Sequence, residues 1–144
     1  MSFDLQIVGG DIAINRDGSL ALVRDNDKLC QDIIKILLTR LGENQYHPQY
    51  GSEIGALQIG SIPDPELLEL DLTSSAESAV RKLISLQRAQ ARRGQFQSPG
   101  EVIVEIRGIE VARDKADPRL YNIFISVITQ KLTTINETVT VRII

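Results

Sequence analysis

The sequence predicts an α+β fold: a small antiparallel C-terminal sheet packed with two main helices, plus an N-terminal β-hairpin. Three patterns support this prediction. Apolar residues alternate with polar ones near the N-terminus, recur at helical spacing in the middle of the chain, and alternate again after residue 101. A chain of 144 residues fits one domain, which we divide into an N-terminal β-hairpin (1–24), a helical part (25–94) and a β-meander (101–144).

The N-terminal segment has the pattern of short strands joined by tight turns. Aliphatic residues alternate on both sides of "NRDGS", and the Asp17-Gly18 pair within it favours a hairpin turn, because glycine adopts positive φ at little cost. A ribbon this small is not stable by itself. We therefore expect it to dock on the rest of the protein.

Two amphipathic helices are predicted in the middle of the chain. The first extends from about residue 26 to 41, where leucine and isoleucine recur every four residues. Asp25 or Asn26 suits its N-terminal cap, and Gly42 lies where a left-handed residue often ends a helix. A loop follows, and the second helix begins near Pro65, since proline suits a first helical turn. Cys30, on the apolar face of the first helix, is interpreted as a buried structural thiol.

Three strands with short connections are predicted after residue 101. The first alternates from Val102 to Arg107, and the second places Tyr121 and its alternate neighbours on one face. The last strand places Val139, Val141 and Ile143 on one side. A terminal strand can be an uncovered sheet edge, which usually has a partner, so we take these three residues as candidates for a partner interface.

Composition and motifs limit the classes of function. The net charge is −3, so no nucleic-acid partner is expected, because phosphate binding normally needs a positive excess. No apolar run approaches a membrane span, and the N-terminus has no secretion signal, which predicts synthesis in a cytoplasm and no membrane partner. His47 is the only histidine and no phosphate-binding loop occurs, so neither a metal nor a cofactor is expected.

An arginine cluster marks the end of the second predicted helix. Arg88, Arg92 and Arg93 precede Gly94. One interpretation is compensation of the helix dipole on a solvated face. The other is a binding patch for an acidic surface on a partner, and the sequence leaves both open.

Enzymatic function depends on one pair of residues. Glu43 and Glu53 offer two carboxylates of the kind that glycoside hydrolysis requires. A chain with 19 acidic residues contains such pairs by chance, and no apolar pocket to raise a pKa is evident beside them. We therefore predict that the protein is not an enzyme, with a muramidase as the alternative.

The segment "RLGENQYHPQYGSEIG" collects the histidine, two tyrosines, a proline and three glycines. With the helix before it and the strand "VIVEIRGIEV" after it, it resembles the small baseplate wedge proteins of contractile phage tails, which include the W-like and T-even wedge proteins. The positions that match the family pattern are Thr39, Gly42, Glu43, Tyr46, Pro48, Tyr50 and Gly51. We expect this loop to be a feature of shape, and Gly51→Val to misfold it.

The resemblance implies a structural role. Family members resemble the inner (handshake) domain of the tail-sheath subunit and template the first sheath ring at the baseplate by β-strand augmentation. The implied partners are the tail sheath protein, the larger baseplate wedge subunits and, beyond these, tail hub or tube proteins. The implied location is the virion tail baseplate, in multiple copies set by six-fold symmetry.

One departure and two alternatives accompany this resemblance. Many family members carry a Glu-Pro-Arg triplet after the long helix, at a contact with neighbouring wedge subunits, whereas this chain has "RKLISLQRAQARRG". Some members carry an old lysozyme-like label, which is the enzymatic alternative. An adaptor in a bacterial contractile secretion system is the other. If the tail sheath protein pairs with the last strand, proline at Val141 is expected to leave the isolated domain at least partly folded but to block sheath attachment.

Overall fold

The structure is a computed structural model that describes residues 2–54 and 64–143. Its elements, in chain order, are β1 (Asp4–Leu5), β2 (Ile7–Val8), β3 (Asp11–Ile12), β4 (Leu22–Val23), α1 (Asp25–Leu38), α2 (Pro65–Arg92), β5 (Ile103–Arg113), β6 (Leu120–Thr129) and β7 (Thr134–Arg142). The predicted α+β fold is confirmed. The loop predicted before Asp64 lies largely outside the described residues, as does Ile144 at the predicted end of the last strand.

Helix α1 is held by a stripe of completely buried aliphatic side chains, namely Leu29, Ile33, Ile36 and Leu37. Its boundaries differ from the prediction. Arg24 occupies the N-cap position without a side-chain cap hydrogen bond, so the predicted cap by Asp25 or Asn26 is wrong. The helix ends at Leu38, because the backbone of Thr39 turns to an extended conformation (φ −75°, ψ 124°) and pairs with the chain returning from the following loop. Gly42 therefore does not cap it.

Helix α2 begins as predicted. Pro65 occupies its first turn, and the Asp64 carboxylate accepts a hydrogen bond from the Glu66 N–H at 3.0 Å, which satisfies an otherwise unpaired donor. Its buried side chains recur every three or four residues and are Leu68, Leu72, Ala76, Ala79, Val80, Leu83 and Gln87. This stripe packs α2 against α1 and β5.

The C-terminal strands form an antiparallel meander in the order β5-β6-β7, as predicted. The inner face of β6 contributes Tyr121, Ile123, Ile125 and Val127 to the core, and each is at most 3% exposed. The outer face of the same strand is open, since Phe124 is 43% exposed. The sheet is therefore covered by helices on one side, which explains the alternating pattern of its sequence.

Strand β5 departs from simple alternation. The predicted alternation from Val102 would place Ile103 on one face of the strand, and Val104 and Ile106 on the other face. In the structure, Ile103 is 3% exposed, whereas Val104 is 54% exposed. Register shifts follow Ile103 and Ile106, so that both residues, and Ile109 after them, oppose inner-face residues of β6. Each irregularity inserts one extra residue and so shifts the inward-facing positions by one. A prediction based on strict alternation does not detect such a shift.

The N-terminal ribbon (residues 3–23) contains the predicted hairpin together with an additional strand. Ile14 bridges to Leu20 across the turn, while β1 pairs with β4 and β2 pairs with β3. Gln31 of α1 anchors the ribbon, because its amide donates to the Leu5 carbonyl and accepts from the Ile7 N–H, each at 2.8 Å.

A buried glutamine connects the helices to the sheet. The amide of Gln87 donates to the Glu101 carbonyl at 2.6 Å and accepts from the Ile103 N–H at 2.9 Å. It thereby satisfies two backbone groups just where β5 begins. Within the described parts of the chain, none of the helices is long and apolar enough to cross a membrane.

Candidate functional site

The motif loop (residues 39–54) is closed by backbone hydrogen bonds between its two ends. The Ser52 N–H donates to the Thr39 carbonyl at 2.9 Å, and the Leu41 N–H donates to the Ser52 carbonyl at 3.1 Å. Within the loop, the Gly42 N–H donates to the Pro48 carbonyl at 3.0 Å. The loop is consequently a compact unit with a defined shape.

Gly51 is required by the closure of the loop. Its φ is +122°, and a Cβ atom added there would lie 2.5 Å from the Thr39 carbonyl oxygen and 3.1 Å from the Arg40 carbonyl carbon and oxygen. Gly42 also has a positive φ, of +84°, but a Cβ there would meet no atom within 4 Å. Gly42 is thus required for its backbone angle alone, and Gly51 for the close approach of two chain segments as well.

Ser52 is a residue that the sequence analysis missed. It is 2% exposed, its hydroxyl donates to the Leu37 carbonyl at 2.6 Å, and it accepts from the Ile54 N–H at 3.3 Å. The Thr39 hydroxyl satisfies another carbonyl of the last helical turn, that of Lys35, at 2.6 Å. These two hydroxyls fix the loop to the end of α1. A serine in a polar loop carries no sequence signal that distinguishes this role.

The two tyrosines of the motif loop have different environments. Tyr50 is half-buried against the core, and burial raises the pKa of its phenol. Tyr46 is 82% exposed, and its ring therefore covers little apolar surface of the described residues. An aromatic ring held in water on a closed loop is suited to contact another molecule.

A groove of about 1170 Å³, open to solvent, lies between the motif loop and α2. Tyr46, Pro48 and Tyr50 line it from the loop. One face of the C-terminal part of α2, from Ser74 onwards, lines it from the other side together with the residues that follow the helix. The charged residues of this side are Glu77, Arg81, Lys82 and Arg93. Three cationic groups against one carboxylate give the groove a positive balance.

The arginine cluster is divided by the structure. Arg93 lines the groove, whereas Arg88 and Arg92 are exposed elsewhere on α2. The carboxylate of Glu77 pairs with Arg81 at 2.6 Å. The predicted cluster lies at the helix end, but Arg81 and Lys82, about three turns before Arg93, also line the groove.

The two candidate carboxylates of a muramidase are both exposed. The Glu43 carboxylate accepts a hydrogen bond from the Arg40 N–H at 3.3 Å, a contact that fits a role within the loop. Neither Glu43 nor Glu53 lines the groove. The described residues contain no group of three His, Cys, Asp or Glu side chains placed to hold a metal.

The last strand forms an edge of the sheet, since β7 pairs with β6 alone among the described strands. Val139 and Val141 are 4% and 5% exposed, and Ile143 packs against the same core. The side chains of these three interface candidates therefore face inwards. The groups that β7 leaves available at the sheet edge are backbone N–H and C=O groups.

The hydrogen bonds show which backbone groups are open. The Ile143 N–H donates to the Arg119 carbonyl at 2.8 Å, in the same register that pairs Tyr121 with Val141. Hydrogen-bonded pairs alternate along an antiparallel ladder, so the odd-numbered residues of β7 direct their N–H and C=O groups to β6. The outward groups belong to the even-numbered residues, which are Thr134, Asn136, Thr138, Thr140 and Arg142.

Comparison with known proteins shows the fold. No protein-family model matches the sequence, and no curated protein matches it. The chain is similar to the crystal structure of a candidate tail lysozyme from Geobacter sulfurreducens, with 16% sequence identity and a TM-score of 0.52. The similarity covers 81% of this chain and 89% of that chain. At this identity the two proteins are shown to share an α+β fold.

Proposed function

We propose that this protein is a structural component of a phage tail baseplate wedge, which binds larger wedge subunits and templates the first ring of a contractile sheath. The fold shared with a protein named as a tail lysozyme supports the tail assignment. The resemblance of the motif loop supports the wedge assignment. The proposed location is the virion baseplate, where multiple copies follow the six-fold symmetry of the assembly, after synthesis in the host cytoplasm.

The observation that carries the proposal is the open edge of β7. A partner strand added there finds five residues, at every second position from Thr134, whose backbone N–H and C=O groups point away from β6. Side chains on the inner side of the added strand would extend the apolar row of Val139 and Val141, so we expect that strand to alternate aliphatic and polar residues. The tail sheath protein is the proposed source of the strand.

A proline in β7 tests this proposal, and the ladder decides where to place it. Val141 directs its N–H to β6, so proline there would break a bond of the sheet itself. Thr138 directs its N–H outwards, so Thr138→Pro removes a donor that does not bond to β6. The matched control is Thr138→Val, which keeps the N–H. The proline variant is expected to unfold at about the denaturant concentration of the control and to lose co-purification with the sheath protein of its own gene cluster. Undiminished sheath binding by the proline variant contradicts docking at β7.

The groove between the motif loop and α2 is the proposed contact with the larger wedge subunits. Its positive balance and its exposed Tyr46 suit an acidic surface on the partner. Arg93→Glu is expected to weaken wedge assembly at least tenfold in a co-sedimentation assay. Arg92→Glu makes the same change of charge at the neighbouring residue, which lies outside the groove, and is expected to have little effect. If the two variants lose the same amount of wedge assembly, the loss reflects net charge in general, and the proposed contact in the groove is contradicted.

We further propose that the protein is not an enzyme and has no cofactor. A muramidase is the alternative, favoured by the name of the structural neighbour. Both carboxylates that it would use are exposed and lie outside the groove. Clearing of peptidoglycan by the purified protein, abolished in Glu43→Gln, would establish the alternative. The neighbouring genes distinguish a phage tail from a bacterial secretion system, and also identify any tail hub or tube partner.

A further inference from the structure

The N-terminal ribbon has its small side chains inside and its large aliphatic side chains outside. Ala21 and Val23 are buried, at 7% and 8% exposed. The opposite face is described by the strand pairing, which matches Ile7 with Ile12 and Ile14 with Leu20. We call this the ribbon apolar face, and its side chains are Ile7 (42% exposed), Ile12 (48%), Ile14 (67%), Leu20 (53%) and Leu22 (42%).

These side chains form one surface. In a strand, alternate residues point to the same side, so Ile12 and Ile14 share a face, and Leu20 and Leu22 do as well. Directly opposed residues on neighbouring strands also share a face. Ile7 opposes Ile12, and Ile14 opposes Leu20, so all five side chains lie on one face. Val8 is 62% exposed but is offset from Ile7 by one residue, and so lies on the other side of its strand.

The ribbon presents this face as a preformed surface. Gln31 of α1 makes its two hydrogen bonds to the ribbon backbone at Leu5 and Ile7. The Lys35 ammonium, on the next turn of α1, pairs with the Asp4 carboxylate. Because these contacts already fix the ribbon against α1, binding of a partner to the face costs little conformational entropy.

The size of the face fits an interface. Five aliphatic side chains that are each about half exposed present on the order of 500 Å², near the upper end of the apolar patches that monomers carry. Two such faces in contact would bury on the order of 1,000 Å², which is about the area at which specific protein interfaces begin.

The charges around the face suit a second copy of this chain as the partner. Apart from Asp4, which pairs with Lys35, the charged residues of the ribbon and its exit are two acids, Asp11 and Asp17, and two bases, Arg16 and Arg24. All four are exposed. A balanced rim favours neither an acidic nor a basic partner, whereas it is compatible with its own copy across a two-fold axis.

We propose that two copies of this protein associate through the ribbon apolar face, with Ile14 and Leu20 near the two-fold axis. Weak association is typical of interfaces at this lower limit of area, so we expect a dissociation constant in the micromolar range. This inference is independent of sheath binding, because the ribbon and β7 are separate surfaces. Loss of one association leaves the other testable.

Analytical ultracentrifugation of the full chain, from about 1 to about 200 µM, tests the proposal over the range in which micromolar association is visible. The unaltered protein is expected to shift from monomer to dimer. Ile14→Asp and Leu20→Asp place a charge in the contact and are expected to raise the dissociation constant at least 100-fold. Because both side chains are mostly exposed, both variants are expected to keep the unfolding midpoint of the unaltered protein.

Val8→Asp is the matched control, since it places the same charge on an equally exposed aliphatic residue outside the face. It is expected to dimerise like the unaltered protein. A monomer at all concentrations overturns the proposal, and so does a dimer that withstands both Ile14→Asp and Leu20→Asp. A dimer that is lost in Thr138→Pro but retained in Ile14→Asp would place self-association at β7 and would also overturn it.

Discussion

Replacing Gly51 tests how the motif loop is closed. In Gly51→Ala, the new Cβ would lie 2.5 Å from the Thr39 carbonyl oxygen, so one of the two chain segments must move. Movement there weakens the hydrogen bonds that join Ser52 to Thr39 and to Leu41, at 2.9 and 3.1 Å. The loop is thereby expected to loosen where it meets α1.

The expected loss in the free energy of unfolding is about 3 kcal/mol. A positive φ costs an alanine about 1–2 kcal/mol, and each weakened hydrogen bond adds about 0.5–1.5 kcal/mol. Gly42→Ala provides the comparison, because its φ of +84° has the same sign but no neighbouring atom lies within reach of the added methyl group. That variant is expected to lose only about 1 kcal/mol. Gly51→Val adds a branched side chain at the same point and is expected to lose more than Gly51→Ala.

Urea unfolding followed by far-UV circular dichroism measures these differences, provided that the slope of the transition is the same in all variants. Gly108→Ala, in open space and without a positive φ, is the control for glycine replacement in general and is expected to be nearly neutral. If Gly51→Ala loses no more stability than Gly42→Ala, the close approach to Thr39 does not constrain the loop and the reasoning is refuted.

Three other perturbations have defined outcomes. Gln87→Glu, which can no longer donate to the Glu101 carbonyl, is expected to lose about 2–3 kcal/mol in the same urea assay, and an unchanged midpoint would contradict this. Burial opposes ionisation of Asp4, but the Lys35 ammonium, together with hydrogen bonds from the Leu5 N–H and the Gln31 amide, lowers the pKa of that carboxyl. Asp4 therefore stabilises the fold above about pH 4, and the effect is lost as the pH falls. Asp4→Asn is therefore expected to be less stable than the unaltered protein at pH 7 and equally stable near pH 2; a constant difference at both pH values would refute this. Burial and a neighbouring carboxylate raise the pKa of Cys30 to about 12. Alkylation of the folded protein by iodoacetamide at pH 8.5 is therefore expected to be roughly a thousandfold slower than alkylation of the protein unfolded in urea. Comparable rates in the two states would contradict this.

The helices and the central strand are the parts of the fold that the sequence predicted best. Leucine and isoleucine at every fourth position placed α1 to within three residues at its C-terminal end. Pro65 and Asp64 marked the start of α2, and the alternation from Tyr121 to Val127 identified the buried face of β6. These signals are local, because each depends on residues close together in the chain.

The parts that were predicted poorly depend on distant contacts. Helix α1 ends at Leu38 and not at Leu41, because Ser52 pairs with the extended Thr39 backbone. The inner face of β5 passes from Ile103 to Ile106 through a register shift, which is set by pairing with β6. In both places the partner of the backbone lies far away in sequence.

The candidate surfaces show the same division. The sequence alone determined that the chain has two amphipathic helices, a β-rich C-terminus and a loop built on glycine, proline and tyrosine, since periodicity and turn chemistry are local properties. Only the tertiary structure decided that Val139 and Val141 face the core while the backbone of Thr138 is open, and that Arg93 belongs to a groove from which Arg92 is excluded. The direction of a side chain or an N–H group depends on pairing register and helix rotation, and both are set by packing against elements that a local pattern does not contain.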